Sequence, residues 1–139
     1  MEDPKGKKVI IVGIPGVGKS TIISNATTAL QNMGTSVTTV VFGSVMFEEA
    51  KKLGITDRDQ IRKLSIDVQQ KLQNMAADLI STRTESIVVV DTHLFIKTMS
   101  GYYPGLPMNL VFNIPFDFVI RYHISCSSII IFPSPEYFF

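Results

Sequence analysis

The chain has 139 residues, of which 45% are hydrophobic and 18% are charged, so we expect one globular domain with a substantial core. A formal net charge of +1 argues against a nucleic-acid or membrane partner. A single cysteine excludes an internal disulfide and indicates a reducing compartment. With no signal-peptide pattern and no apolar run of about 18 residues, we predict a cytoplasmic protein.

The strongest pattern lies near the N-terminus, where an aliphatic run leads into a glycine-rich turn. Val9–Val12 are all aliphatic, as in a strand covered on both faces. The next residues read Gly-Ile-Pro-Gly-Val-Gly-Lys-Ser, the phosphate-binding P-loop pattern in the strand–turn–helix setting that it requires. The pattern predicts a site for ATP or another nucleoside triphosphate with Mg²⁺.

Each residue type in this loop has a physical reason. Glycines let the backbone bring its N–H groups close to phosphate oxygens, and the following helix points its positive end at the same oxygens. Lys19 is predicted to be catalytic because its charge reaches the β- and γ-phosphates, and Ser20 to ligate Mg²⁺. The predicted nucleotide-binding residues are Gly13, Ile14, Pro15, Gly16, Val17, Gly18, Lys19, Ser20 and Thr21.

Alternating helix and strand patterns follow. The predicted elements are a helix over 19–33, a strand over 37–42, a short helix over 44–53 capped by Ser44, a long helix over 61–79 and a strand over 87–90. A pattern close to a capping box, Thr56 to Gln60, opens the long helix, whose apolar residues recur every three or four positions. This order predicts an α/β fold with a parallel sheet and helices on both faces.

Asp91 follows the last of these strands directly. A carboxylate at the carboxyl end of a strand lies beside the P-loop in this fold class, so we predict that Asp91 and Ser20 hold Mg²⁺. Taken alone, such an aspartate is as readily a turn residue. His93 is assigned no proton-transfer role, because phosphoryl transfer depends mainly on positioning and charge neutralisation.

Four motifs, in this order, resemble the archaeal adenylate kinases, which transfer phosphate from ATP to AMP. They are GIPGVGKST at 13–21, DRDQIRKLSIDVQQKLQ at 57–73, VDTH at 90–93 and SGYYPGLP at 100–107. The resemblance covers about residues 8–107. It implies a P-loop NTPase-like fold, MgATP and AMP as substrates, two ADP as products, and a homo-oligomer that is often a trimer.

The resemblance also implies the AMP side of the site. Residues from about 42 to 79 would form the AMP-binding insertion, in which Arg62 would pair with the AMP phosphate, a role that suits the guanidinium fork. Lys97 would contact the same phosphate, where the family usually has arginine, and residues 100–107 would form a rigid loop beside AMP. From the residues alone, Arg62 is better interpreted as a solvated charge on a helix face, and only the resemblance favours the phosphate role.

Residues 108–139 differ in composition from residues 1–107, the predicted kinase core. They carry three charged residues but 8 of the chain's 13 Phe and Tyr side chains. The family's arginine-bearing lid has no counterpart here, and two strand-like runs, 118–124 and 128–132, lie too close together for a parallel crossover. We interpret this apolar tail as out-of-frame sequence that leaves the fold incomplete at the C-terminus; a minimal native variant is the alternative.

The function predicted on these grounds is adenylate kinase-like phosphoryl transfer with weak or undetectable turnover. Two alternatives stay open: a nucleotide-binding module without catalysis, and a P-loop kinase of another specificity. A GTPase is disfavoured because the sequence has no N-K-x-D-like guanine motif.

Overall fold

The computed structural model describes residues 6–106, 110–111, 114, 116–123 and 128–132. The elements, in chain order, are β1 (Lys7–Gly13), α1 (Lys19–Asn32), β2 (Val37–Val41), α2 (Phe42–Lys52), α3 (Arg58–Ile61), α4 (Ile66–Ser81), β3 (Ile87–His93), β4 (Phe95–Thr98), β5 (Gly101–Pro104), β6 (Phe118–His123) and β7 (Ser128–Phe132). The predicted α/β class is confirmed. No helix among these residues is long and apolar enough to cross a membrane.

Five strands form the main sheet in the order β2-β3-β1-β6-β7. The pairs β2–β3, β3–β1 and β1–β6 are parallel, whereas β7 runs antiparallel to β6. The short separation of β6 and β7 along the chain excludes a parallel pair but suits a hairpin. The sheet is therefore parallel, as predicted, except at its β7 edge.

Helices cover both faces of the sheet, because the strand residues alternate between two apolar clusters. Ile11 of β1 and Val89 of β3 pack with Ile23 of α1 on one face. On the other face, Ile10 and its neighbours join a larger cluster with side chains of α2 and α4. Full burial of such side chains contributes roughly 1.5–3 kcal/mol each, so this double-sided core holds the carboxyl ends of β1 and β3 together.

Two helix predictions are wrong in their boundaries. The helix predicted to be capped by Ser44 begins at Phe42, because Phe42 is drawn into the core and is only 1% exposed. The long helix predicted over 61–79 is interrupted: α3 ends at Ile61 and α4 begins at Ile66. Ser65 occupies the N-cap of α4 with a non-helical ψ of 153°, a position that serine favours.

The segment predicted as a rigid loop beside AMP contains a strand. Residues 101–104 form β5, which pairs antiparallel with β4, and neither strand is predicted by the sequence patterns. Gly105 follows β5, and its N–H donates to the carbonyl oxygen of Leu94, directly after the end of β3, at 3.0 Å. Pro107 lies outside the described residues.

Part of the apolar tail packs against the predicted kinase core. Strand β6 pairs with β1 from Val9↔Phe118 to Val12↔Arg121, and several tail side chains are buried in the larger cluster, namely Leu110, Val111, Ile114, Phe116 and Val119. The interpretation of the tail as out-of-frame sequence stays a prediction.

Asp117 fastens the start of β6 to the start of β1. Its carboxylate accepts from the backbone N–H of Lys8 at 2.8 Å and from the Lys7 ammonium at 3.1 Å. Burial opposes ionisation, but these two donors outweigh it and hold the pKa of Asp117 below its ordinary value. A carboxyl with a lowered pKa stabilises the fold above its unfolded-state pKa, and this contribution is lost as the pH falls through the folded-state pKa.

We therefore expect Asp117→Ala to lower the free energy of unfolding at pH 7 by about 1 kcal/mol. The difference from wild type should shrink as the pH falls through the folded-state pKa of Asp117, because the carboxyl is then protonated in both states. Denaturant unfolding at pH 7 and over a series of acidic pH values measures this, with exposed Asp78→Ala as the control. Equal stability of wild type and Asp117→Ala at pH 7 would contradict the docking of β6 on β1.

Candidate functional site

The P-loop joins the carboxyl end of β1 to the start of α1. Gly16 and Gly18 both have a φ of +83°, the left-handed region that glycine enters without penalty. A Cβ at either position would meet nothing within 4 Å, so backbone conformation, rather than space, requires glycine there. Of the nine predicted nucleotide-binding residues, 13–21, Gly13 ends β1 and the other eight lie in the turn or in the first turn of α1.

Lys19 and Asp91 form a buried ion pair where β1 and β3 end. The Lys19 side chain is 6% exposed and the Asp91 side chain 12%, so each charge depends on the other for compensation. Asp91 lies beside Ile11 in the parallel register of β3 and β1. The structure thus brings together two residues that were predicted from separate motifs.

A groove beside α1, which we call the hydroxyl groove, contains the predicted metal ligands. It is lined by Ser20, Ile23, Ser24, Thr27, Thr28, Thr39 and Asp91. The hydroxyl of Ser20 and the carboxylate of Asp91 are the hard oxygen donors that Mg²⁺ prefers. No cluster of three or more His, Cys, Asp or Glu side chains occurs in the described part of the chain. Magnesium in such sites is bound mainly by substrate phosphates and water, and needs only one or two protein ligands. Ser20 and Asp91 therefore suit the ion.

A second cavity, which we call the arginine cavity, opens between α2, α3 and the end of β3. Its lining residues are Phe42, Gly43, Met46, Arg58, Ile61, Arg62, Asp91, Thr92, His93, Ile96 and Gly105. One part of this wall is apolar and another carries two guanidinium groups. Because the charge of Asp91 is already paired with Lys19, the two arginines leave the cavity with a positive excess suited to an anionic ligand.

The capping box predicted from the sequence positions both arginines. The Asp57 side chain accepts from the backbone N–H of Asp59 at 3.0 Å, and the Gln60 side chain reaches back to the Asp57 N–H. This fixes the start of α3 and places Arg58 and Arg62, four residues apart, on the same side of the helix. Arg58 was missed by the sequence analysis, although its spacing from Arg62 was a usable signal.

Ser44 forms a hydrogen bond with Arg58 and does not cap α2. The Arg58 guanidinium donates to the Ser44 hydroxyl at 2.6 Å, which joins α3 to the first turn of α2. Among the described residues, Arg62 forms one loose and exposed ion pair, with Asp59 at 3.6 Å, and such a pair contributes little to stability. Its guanidinium is therefore available to a ligand at little cost.

His93 stands in the wall of the arginine cavity without adding to its charge. Burial, and then the nearby Lys19 charge, lower the pKa of His93, while Asp91 and a backbone hydrogen bond with Gly13 partly offset them. The imidazole is therefore mainly neutral at pH 7. Thr92, Ile96 and Gly105 complete this wall. Gly105 belongs to the segment predicted to lie beside AMP, whereas Thr92 and Ile96 were not predicted as cavity residues.

Lys97 stands apart from the other predicted site residues. It is exposed on β4, where it pairs with Tyr102 of β5. Its neighbour Ile96 is among the residues that line the arginine cavity, whereas Lys97 is not. Adjacent residues of a strand point to opposite faces, so the structure does not bring Lys97 to the arginine cavity. Its contact with the AMP phosphate stays a prediction.

The site has the two motifs of a P-loop protein, and a family model described as an AAA domain matches residues 12–131. The chain belongs to this family of AAA domains. The matched range begins near the end of β1. It includes the P-loop, Asp91 and most of the sheet. It also extends over β6 and most of β7.

Curated relatives confirm the resemblance to archaeal adenylate kinases. The chain is 46% identical over 104 residues to an adenylate kinase of Methanoculleus marisnigri, which covers 73% of this chain and 54% of the relative. It is 46% identical over 105 residues to that of Methanocaldococcus jannaschii, covering 74% and 55%. It is 42% identical over 118 residues to the Methanococcus vannielii adenylate kinase, and this alignment covers 84% of this chain and 62% of the relative. The alignments thus span little more than half the length of these relatives.

Lys19 gives the first test of the site. We expect Lys19→Ala to weaken MgATP binding by at least about 1.5–3 kcal/mol, the contribution of charge-assisted hydrogen bonds to phosphate. Calorimetric titration measures this, with exposed Lys71→Ala as the matched control. Because the substitution leaves Asp91 without its partner, circular dichroism should first establish that the variant folds. Equal MgATP affinity for wild type and folded Lys19→Ala would remove the phosphate-site assignment.

Proposed function

We propose that this chain catalyses phosphoryl transfer from MgATP to AMP, giving two ADP. One observation carries the proposal: Asp91 lines both the hydroxyl groove and the arginine cavity. The groove with the predicted metal ligands and the cavity with two arginines therefore meet at the Lys19–Asp91 pair, as the transfer of a phosphoryl group between two bound nucleotides requires. The names of the relatives support AMP as the acceptor.

On the ATP side, the P-loop supplies charge stabilisation. The loop N–H groups and the start of α1 bind phosphate oxygens, and Lys19 carries a full positive charge to the group being transferred. Ser20 and Asp91 would hold Mg²⁺, which neutralises charge on the phosphate oxygens when bound. Arrival of MgATP requires Lys19 and Asp91 to exchange part of their mutual contact for contacts with phosphate and the metal.

On the AMP side, the arginine cavity offers separate surfaces for phosphate and nucleoside. Arg58 and Arg62 suit the phosphate, since guanidinium groups bind its oxygens in pairs. Phe42, Met46 and Ile96 provide apolar surface of the kind that binds a flat base. Neutral His93 leaves the phosphate recognition to the arginines.

Turnover of the isolated chain is expected to be slow. After Lys97 the only Lys or Arg is Arg121, which lies on β6 beside Val12. An arginine that stabilises the transferring phosphoryl group accelerates P-loop enzymes about 10³–10⁵-fold. The scarcity of Lys and Arg after residue 97 also favours the second candidate function, nucleotide binding without catalysis. Cytoplasmic location and trimer formation remain predictions from the sequence.

The decisive assay is formation of ADP from ATP and AMP, with Arg62→Ala compared against Lys63→Ala. Arg62 lines the cavity, whereas its exposed neighbour Lys63 does not. We expect Arg62→Ala to raise the KM for AMP by about 10–100-fold with little change in the KM for ATP. Lys63→Ala should resemble wild type. If the chain binds MgATP but wild type forms no ADP above background, catalysis is excluded and the nucleotide-binding module is supported.

A further inference from the structure

Gln73 is a buried amide on the apolar side of α4. It is 1% exposed, among Leu72, Ala76 and Ala77 of the larger core cluster. Its Nε2 donates to the carbonyl oxygen of Pro104 at 3.3 Å, but its Oε1 has no hydrogen-bond partner among the described residues. A half-satisfied buried amide costs free energy that an apolar side chain of similar size would not. Core stability alone therefore does not explain a glutamine here.

The carbonyl that Gln73 contacts belongs to a segment that forms part of the arginine cavity. Gly105, the next residue, lines the cavity and donates its N–H to the Leu94 carbonyl at 3.0 Å. A Cβ on Gly105 would overlap the carbonyl oxygen of His93. Pro104 and Gly105 are thus held between α4 on one side and the end of β3 on the other.

The same helix also supports the arginine-bearing side of the cavity. Gln69, one turn before Gln73 and 3% exposed, donates its Nε2 to the Leu64 carbonyl at 2.9 Å. This bond fixes the turn that follows Arg62. Residues four apart lie on one side of a helix, so two buried amides of α4 hold the segments next to two cavity-lining residues, Arg62 and Gly105.

We propose that Gln73 is a positioning residue for the phosphate acceptor. By holding Pro104 it sets the distance between the Gly105 wall and the wall that carries Arg58 and Arg62, and thereby the fit of a nucleoside monophosphate. Gln73 itself is not among the residues that line the cavity, so it acts through Gly105. The proposal rests on the proposed function, because it concerns the acceptor of that reaction.

The kinetic test compares Gln73→Met with Gln70→Met. Methionine keeps the length of the side chain but cannot donate to Pro104, and Gln70 is an exposed glutamine of the same helix. Gln73→Met should raise the KM for AMP about tenfold, the effect of one lost hydrogen bond, with the KM for ATP within about twofold of wild type. Equal increases in both KM values, or no change in either, would overturn the proposal.

Gln73→Glu separates positioning from packing. Burial raises the pKa of a carboxyl, and the protonated form can donate to Pro104 whereas the ionised form cannot. The KM for AMP, divided by that of wild type at the same pH, should be near one where the introduced carboxyl is protonated and about tenfold higher where it is ionised. A ratio that stays large where the carboxyl is protonated would indicate a purely structural role and contradict the proposal.

A third measurement does not depend on turnover. Hydrogen exchange of the Gly105 amide, followed by NMR, should be about tenfold faster in Gln73→Met than in Gln70→Met, with β1 amides unchanged. If wild type forms no ADP but Gly105 responds in this way, the proposed function fails while the coupling by Gln73 stands. An unchanged Gly105 exchange rate would overturn the coupling itself.

Discussion

The buried ion pair between Lys19 and Asp91 is the constraint on which the site depends. Two charges are placed at the carboxyl ends of adjacent parallel strands, β1 and β3, where neither is well solvated. Each is tolerated because the other is present. The apolar clusters on both faces of the sheet hold these strand ends in register, so the core determines the separation of the two charges.

This pair also divides the surroundings of the P-loop into two regions. On one side Asp91 faces the hydroxyls of α1, including Ser20. On the other it faces a cavity with two arginines and an apolar wall. A substrate phosphate entering either region meets the same Lys19–Asp91 pair. This common boundary, more than any single residue, is what suits the chain to transfer between two nucleotides.

The parts that could be predicted from sequence are those governed by local chemistry. Glycines at positive φ, the capping box at Asp57 and the aliphatic strand before Asp91 each depend on neighbouring residues, so their patterns predicted the P-loop, the start of a helix after Asp57 and the carboxylate. The parts that could not be predicted depend on distant contacts. Phe42 extends α2 because the core buries it, and the exposure of Lys97 depends on the β4–β5 hairpin, which no local pattern indicated.

The apolar tail illustrates the same division. Its composition changes at about residue 108, but composition says nothing of where a segment packs. The partner of Asp117 is the start of β1, more than a hundred residues away in sequence, and sequence spacing carries no signal for such a contact. Likewise, Gln73 looked like any polar residue of an amphipathic helix, since its partner Pro104 lies beyond the next strand.

The most direct test of this account is the Mg²⁺ dependence of ATP affinity in wild type and Asp91→Asn, measured by calorimetry with excess Mg²⁺ and with EDTA. Asn keeps the size of the side chain but removes the charge that both Lys19 and the metal would use. The account predicts that wild type binds ATP more tightly with Mg²⁺, and that folded Asp91→Asn loses most of this difference while still binding ATP in EDTA. An undiminished Mg²⁺ effect in Asp91→Asn would contradict the central role of this carboxylate.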